Sequence, residues 1–355
     1  MPSGDTIEDL LLFLLKYDSL TGQEQEICDA IRNYYRAAPA KVIADQLTTA
    51  YLFSSVPDKP TISFYGHIDT VTNQQSLPPC QKNGKIYGCG ASDMKGGLAI
   101  MMRVMNELST GREAKFNTQF IFYDAEEGPG DQNGLNHFLP KHIDSLNCDL
   151  SLVMEPTNNE IQKGCVGSLH VGVIVEGSSA HSARPWEGIN AIQKSWQLLK
   201  LLDDQSPLKV TIDGLDFYEV LNVTQASGGQ TRNSVPGSFE LNLNYRFAPD
   251  KNEEQAFENV KSIVGELGTV KLTDSSPSGK VMGNNQWLDQ LVQAGNLECR
   301  PKQAWTDVAR LSSFGIPAVN FGPGDTAQAH QADEHILVPA MWRSWELLES
   351  FLFEN

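Results

Sequence analysis

The chain has no run of about eighteen apolar residues, so no segment reads as a membrane-spanning helix. It also lacks a basic excess. Lys and Arg number 27 against 44 Asp and Glu, a net charge of −17, which disfavours nucleic acid and anionic membrane surfaces as partners. The start of the chain, Met1 to Asp5 leading into an amphipathic stretch over 7–16, has no basic segment, apolar core or cleavage site. A secretory leader is therefore not expected, and the cytoplasm is the expected compartment. Cysteine is sparse: Cys28, Cys80, Cys89, Cys148, Cys165 and Cys299 form no CxxC pair, which fits reduced thiols and excludes a disulfide framework. Cys89 and Cys165 lie near the acidic motifs below, but without an evident His or Lys partner they read as small packing residues rather than catalytic thiols. No internal repeat and no low-complexity tract occurs.

What is present is a 355-residue chain with 40% hydrophobic residues, enough for two substantial cores. Its first third alternates helix-like and strand-like segments: helices over 7–15, 23–37 and 97–108, strands over 61–65, 118–123 and 150–154. That alternation predicts an α/β sheet covered by helices. From about Gly167 the texture changes to a strand over 168–175, a helix over 190–202, strands over 221–226 and 239–247, a helix over 253–267 and a strand over 270–272. This order predicts a small α+β, ferredoxin-like unit. The polar stretch 273–280 reads as a return linker. The α/β texture then resumes with a strand over 316–321, so the small unit is expected to be an insert: 167–276 within 1–166 and 277–355.

Acidic and histidine residues recur where these strands end, the edge at which open α/β sheets bind ligands. In Tyr65-Gly66-His67-Ile68-Asp69-Thr70, two-residue spacing lets Asp69 support His67 as a carboxylate supports a metal-bound imidazole, although a satisfied loop histidine would look the same. Asp93, in Gly90-Ala91-Ser92-Asp93-Met94-Lys95-Gly96-Gly97, precedes an apolar helix and fits either a helix cap or a ligand. Glu126 and Glu127 follow one apolar strand and Glu155 follows another; of the pair, one suits a metal ligand and the other a general base. Far down the chain, 322–335 holds His330 and His335, of which one is needed as a ligand. Asp93, Glu126, Glu127 and Glu155 at one sheet edge would bring together four negative charges, untenable without protons or compensation. Two divalent cations supply that compensation. Imidazole plus carboxylate without thiolate favours zinc, with cobalt or manganese as substitutes.

The ordered set GHIDTV, GASDMKGG, DAEEGP, MEPT and AHQADEH, spread over nearly the whole chain, resembles the di-zinc aminoacylase and carboxypeptidase superfamily. The resemblance implies a di-zinc aminopeptidase-like catalytic domain, with 167–276 as an inserted dimerisation or lid domain. It implies that His67 and Glu155 hold one zinc, that Glu127 and His330 hold the other, that Asp93 bridges them, and that a cis peptide follows Asp93. By the same resemblance Glu126 is the general base that takes a proton from water and returns it to the departing amine, and Asp69 supports His67. His181 resembles the family histidine of the inserted domain that reaches the partner subunit's active site, which implies a homodimer paired through the insert. Asn233 matches an asparagine loop that contacts substrate or oxyanion, Arg246 and Arg310 are candidate anion clamps, and Gly322 could present its N–H to a ligand. Stretches around His181, Arg246 and Arg310 look closest to the branch that cleaves N-succinyl-LL-2,6-diaminopimelate to succinate and diaminopimelate. A sister deacylase such as acetylornithine deacetylase, or an aminoacyl peptidase, shares the metal motifs. A non-catalytic protein that kept the fold would be expected to have lost a ligand or the base, and none is missing.

Overall fold

A computed structural model describes residues 5–72, 74, 75 and 78–354; residues 1–4, on which the expectation of no leader partly rests, lie outside them. Among the described residues no helix is long and apolar enough to cross a membrane. The chain divides into two compact units, Met1–Lys163 with Met282–Arg300 and Thr306–Asn355, and Gly164–Val281 with Pro301–Trp305. The crossings fall slightly outside the expected cuts. Cys165 and Gly279 exchange both backbone hydrogen bonds (3.1 and 3.0 Å), tying the two crossing segments together. Trp305 Nε1 donates to the Pro277 carbonyl at 2.9 Å, which draws Pro301–Trp305 into the same unit.

The first unit is built on an eight-stranded sheet in the order Lys41–Asp45, Thr48–Phe53, Asn117–Tyr123, Thr61–His67, Leu150–Val153, Ala318–Asn320, Ile161–Lys163, Cys299–Pro301. The middle four run parallel. Helices cover both faces, so these strands are buried along nearly their whole length rather than on alternate residues. Ile62 and Phe64 enter one core with Leu98, Met101 and Trp345, while Tyr65, Tyr123 and Val153 enter the other with Leu135, Phe138 and Val308. Helix Ile7–Leu14 starts at a capping box in which Thr6 and Asp9 satisfy each other's backbone N–H groups. In register, His67 lies opposite Tyr123, Tyr65 opposite Val153, and Asn320 opposite Val153, so all four parallel strands end at one edge.

The second unit is a five-stranded antiparallel sheet ordered Leu208–Ile212, Leu215–Gly228, Ser238–Phe247, Gly167–Glu176, Thr269–Ser276. Leu169, Val171, Val173 and Val175, with Leu241, Leu243 and Tyr245, form the face that packs on Leu198, Ala256, Val260 and Val264. The predicted return linker is shorter than expected: Asp274, Ser275 and Ser276 pair with His170, Leu169 and Ser168 as the end of an edge strand. Its polarity reflects exposure at the edge, not lack of structure. The helix predicted over 190–202 is two, Ala191–Lys194 and Trp196–Asp203, and Leu208–Ile212 is an additional strand.

Candidate metal centre and active site

His67, the last residue of its strand, is 1% exposed. Its Nδ1 lies 3.0 Å from the Asp69 carbonyl and 3.4 Å from Asp69 Oδ1. A carbonyl only accepts, so Nδ1 carries the proton and Nε2 presents a lone pair. That Nε2 makes no hydrogen bond among the described residues and lies 3.4 Å from Asp93 Oδ1. A buried lone pair facing a carboxylate calls for a proton or a cation between them. Burial opposes charge on His67, but Asp69 and Asp93 outweigh it and draw its pKa well above the ordinary value. A metal ion would satisfy the same demand.

The Asp69 carboxylate does more than orient His67. Its Oδ1 accepts the Glu126 N–H at 3.0 Å, and its Oδ2 accepts the Glu127 N–H at 3.0 Å and the Thr21 hydroxyl at 2.8 Å. Burial works against the ion, yet the His67 contact and these donors hold its carboxyl below the usual value. Asp69 thus pins the loop carrying the glutamate pair against the histidine.

Asp93 sits in a kinked turn, Ala91–Lys95, with a cis peptide to Met94. Helix Gly96–Ser109 begins from Lys95 without a side-chain cap, so the capping alternative for Asp93 does not hold. Close packing places the turn: a side chain at Gly97 would collide with the Met154 carbonyl, just before Glu155. On the far side, His330 Nε2 lies 2.9 Å from Glu127 Oε1 and 4.0 Å from Asp93 Oδ2. The Glu127 contact raises the His330 pKa to about 8 against a smaller opposing effect of burial.

Two ligand-type groups result, His67 with Asp93 and Glu155, and Asp93 with Glu127 and His330, each with its donor atoms within 4.8 Å of one another. Glu126 lies beside both, grouped with His67 and Glu127. Loss of water around Glu126 pushes its carboxyl well above the ordinary value, with His67 pulling the other way and Glu155, Asp307 and Glu127 adding to the rise. His335, the second histidine of the distal segment, instead turns Nδ1 to the Asp333 carbonyl at 2.9 Å.

Two expected substrate contacts are engaged otherwise. Arg310 is 8% exposed; its guanidinium donates to Asn136 Oδ1 (3.0 Å), Asp307 Oδ1 (2.9 Å) and the Gly130 carbonyl (3.1 Å). It orders the loop after Glu127 rather than standing open to an anion. The Gly322 N–H is given to Thr157 Oγ1 at 3.0 Å, so it is not presented to a ligand. Gly322 is needed there because a Cβ would lie 2.5 Å from the Glu155 carbonyl.

The remaining expected residues belong to the second unit. His181 is exposed on Ala180–His181, paired with Ser234–Val235, and the exposed Asn233 accepts the Ser182 N–H at 3.0 Å. Arg246 is partly buried, with Nε donating to Asn244 Oδ1 at 3.0 Å and no carboxylate within ion-pair distance among the described residues. Glu334, which the sequence placed only as one letter of the distal segment, is buried against the Asp93 turn.

A model of peptidase family M20/M25/M40 matches residues 63–354. The chain is 34% identical to a succinyl-diaminopimelate desuccinylase of Corynebacterium glutamicum, over 99% of this chain and 98% of that one. Among solved structures, an M20 family metallo-carboxypeptidase from Sulfolobus solfataricus superposes with a TM-score of 0.78 at 18% identity, covering 98% of each chain. A dinuclear metal binding peptidase from Bacillus subtilis gives 0.70 at 16% identity, covering 97% of this chain and 96% of that one. At such identities the two structures speak to the fold.

Proposed function

Given that the chain belongs to peptidase family M20/M25/M40 and is a hydrolase acting on amide bonds, we propose that it removes succinate from N-succinyl-LL-2,6-diaminopimelate in the cytoplasm, as a step of lysine and diaminopimelate biosynthesis. The observation that carries this reading is the pair of ligand groups sharing Asp93, with Glu126 beside them, in a chain alike over its whole length to a desuccinylase.

His67 and Glu155 are proposed to hold one zinc, Glu127 and His330 the other, and Asp93 both. Cations so placed would polarise the scissile carbonyl and activate water at neutral pH. Glu126 is the proton carrier. Its raised pKa is the direction that lets a carboxylate accept a proton near neutrality and release it to the departing amine. Arg246 is proposed to receive a substrate carboxylate: a half-buried guanidinium that meets no acid among the described residues is poorly compensated until an anion arrives. His181 and Asn233 are assigned to the substrate carbonyl.

The first unit is then the catalytic domain and the second a ferredoxin-like dimerisation domain or lid. Pairing of two chains is supported by the large apolar side chains that the second unit leaves in water, Trp186 at 76% and Trp196 at 65% exposed, with Ile189 and Ile192 between them. It is also supported by an open strand edge. Leu208–Ile212 covers Leu215–Gly228 only as far as Glu219.

The test is a paired assay of zinc-loaded protein on N-succinyl-LL-2,6-diaminopimelate and N-acetylornithine, each with a chelator control. Chelator-sensitive turnover of the succinyl substrate is expected. Equal or better turnover of the acetyl substrate would reject the substrate assignment.

A further inference from the structure

The carboxylate of Glu334 is 2% exposed and meets no Lys, Arg or His within ion-pair distance among the described residues. It is compensated by backbone instead. Oε1 accepts the N–H groups of Ser92 (2.8 Å) and Asp93 (3.0 Å), Oε2 accepts that of Gly90 (2.9 Å), and the Glu334 carbonyl accepts that of Gly88 (3.2 Å). Three N–H groups converging on one anion form a cradle that only an acceptor on both oxygens satisfies. A glutamine would turn an NH₂ group towards one of the donors.

We infer that Glu334 is a positioning residue for the second cation, the one assigned to Glu127, His330 and Asp93; this rests on the reading of those residues as metal ligands. The segment that carries His330 is largely exposed, and His330 itself has a φ of +62°. That segment is fastened to the Asp93 turn at both ends. At one end Ser92 Oγ donates to the Asp325 carbonyl and accepts the Asp325 N–H, both at 2.8 Å; at the other stands Glu334. His330 lies between the two fastenings. The Glu334 carboxylate thus sets the separation of His330 from Asp93, which the backbone of 326–333 alone would leave loose. His67 and Glu155 stand at buried strand ends that Glu334 does not touch, so the first cation depends on it less.

Zinc is the probe, titrated against a competing chelator into wild-type, Glu334→Gln and Glu334→Ala proteins, with thermal unfolding of each metal-free protein alongside. Both variants are expected to lose about 10–100-fold in the second stepwise affinity, the range for removing a group that orients a ligand, and less in the first, which shares only Asp93 with it. A merely structural residue would lower the unfolding temperature and leave both stepwise affinities of the folded protein unchanged. Should Glu334→Ala fail to fold, Glu334→Gln decides, and wild-type affinity for both ions in it would overturn the inference. Wild-type protein that takes up only one zinc would remove the two-metal reading and this role together. Two zincs in wild type with no change in the variants would remove this role alone.

Discussion

At the scale of single residues, the two functions proposed for the glutamate pair rest on Asp69, which fixes its backbone from behind. Both N–H groups of the pair are spent on Asp69, so the two side chains leave the loop in set directions, Glu127 to His330 and Glu126 beside His67. Glu126→Gln keeps the shape and removes the proton acceptor. It should lower kcat by about 10²–10⁴-fold while the protein still binds two zincs by equilibrium dialysis; near-wild-type turnover would reject Glu126 as the base. Asp69→Asn places an NH₂ group against a backbone N–H and loosens His67 as well as the pair. About 10–100-fold weaker zinc binding is expected, measured by chelator competition. His67, Glu126, Glu127 and Glu155 were legible as candidates because each follows an apolar strand-like run, and Asp93 because its motif leads into an apolar helix. Thr21 and Glu334 were not, because a hydroxyl or carboxylate that binds backbone leaves no spacing to read. Gly322 was misread because its place in the matched distal segment suggested an open N–H, whereas that N–H goes to Thr157 and the glycine is needed for close approach to the Glu155 carbonyl.

At the scale of elements, what places Asp93 and Glu155 together is how closely helix Gly96–Ser109 lies against the end of Leu150–Val153. Gly97 permits that approach. Gly97→Ala sets a methyl against the Met154 carbonyl, and backbone cannot swing aside as a side chain can. Destabilisation of about 1–3 kcal/mol is expected, with weaker zinc binding because both ligand-bearing segments shift; calorimetry with and without zinc would reveal both effects. Unchanged stability in that variant would reject the close-packing account. Central strands and the helices Gly96–Ser109 and Glu253–Val264 were legible from apolar runs and helical spacing, whereas Leu135–His142, Gln286–Gly295 and Val338–Leu352 were not read. The edge strands were less so: Lys41–Asp45 and Leu208–Ile212 are short and largely exposed and went unread although Val42, Ile43, Leu208, Val210 and Ile212 are apolar, and of Thr269–Ser276 only 270–272 was read, its polar end being taken for a linker. Asp213-Gly214, both at positive φ, form the turn that opens Leu215–Gly228, and that dipeptide was the available sign of a hairpin.

At the scale of the whole molecule, the proposed pairing makes a prediction that neither unit makes alone. If His181 serves the partner's catalytic unit, each site of a dimer draws Glu126 from one chain and His181 from the other. Glu126→Gln and His181→Ala homodimers then each carry two damaged sites. A mixed dimer carries one site with both lesions and one with neither. Random exchange makes about half of the dimers mixed, so activity should recover to about a quarter of the wild-type level when the two inactive proteins are denatured and refolded together. Trp196→Glu, introduced into both chains, puts charge into the proposed apolar contact. It should yield monomers by sedimentation and abolish the recovery. Dimers that form and exchange chains yet show no recovery would place His181 in its own chain's site, and recovery without dimers would remove the pairing surface.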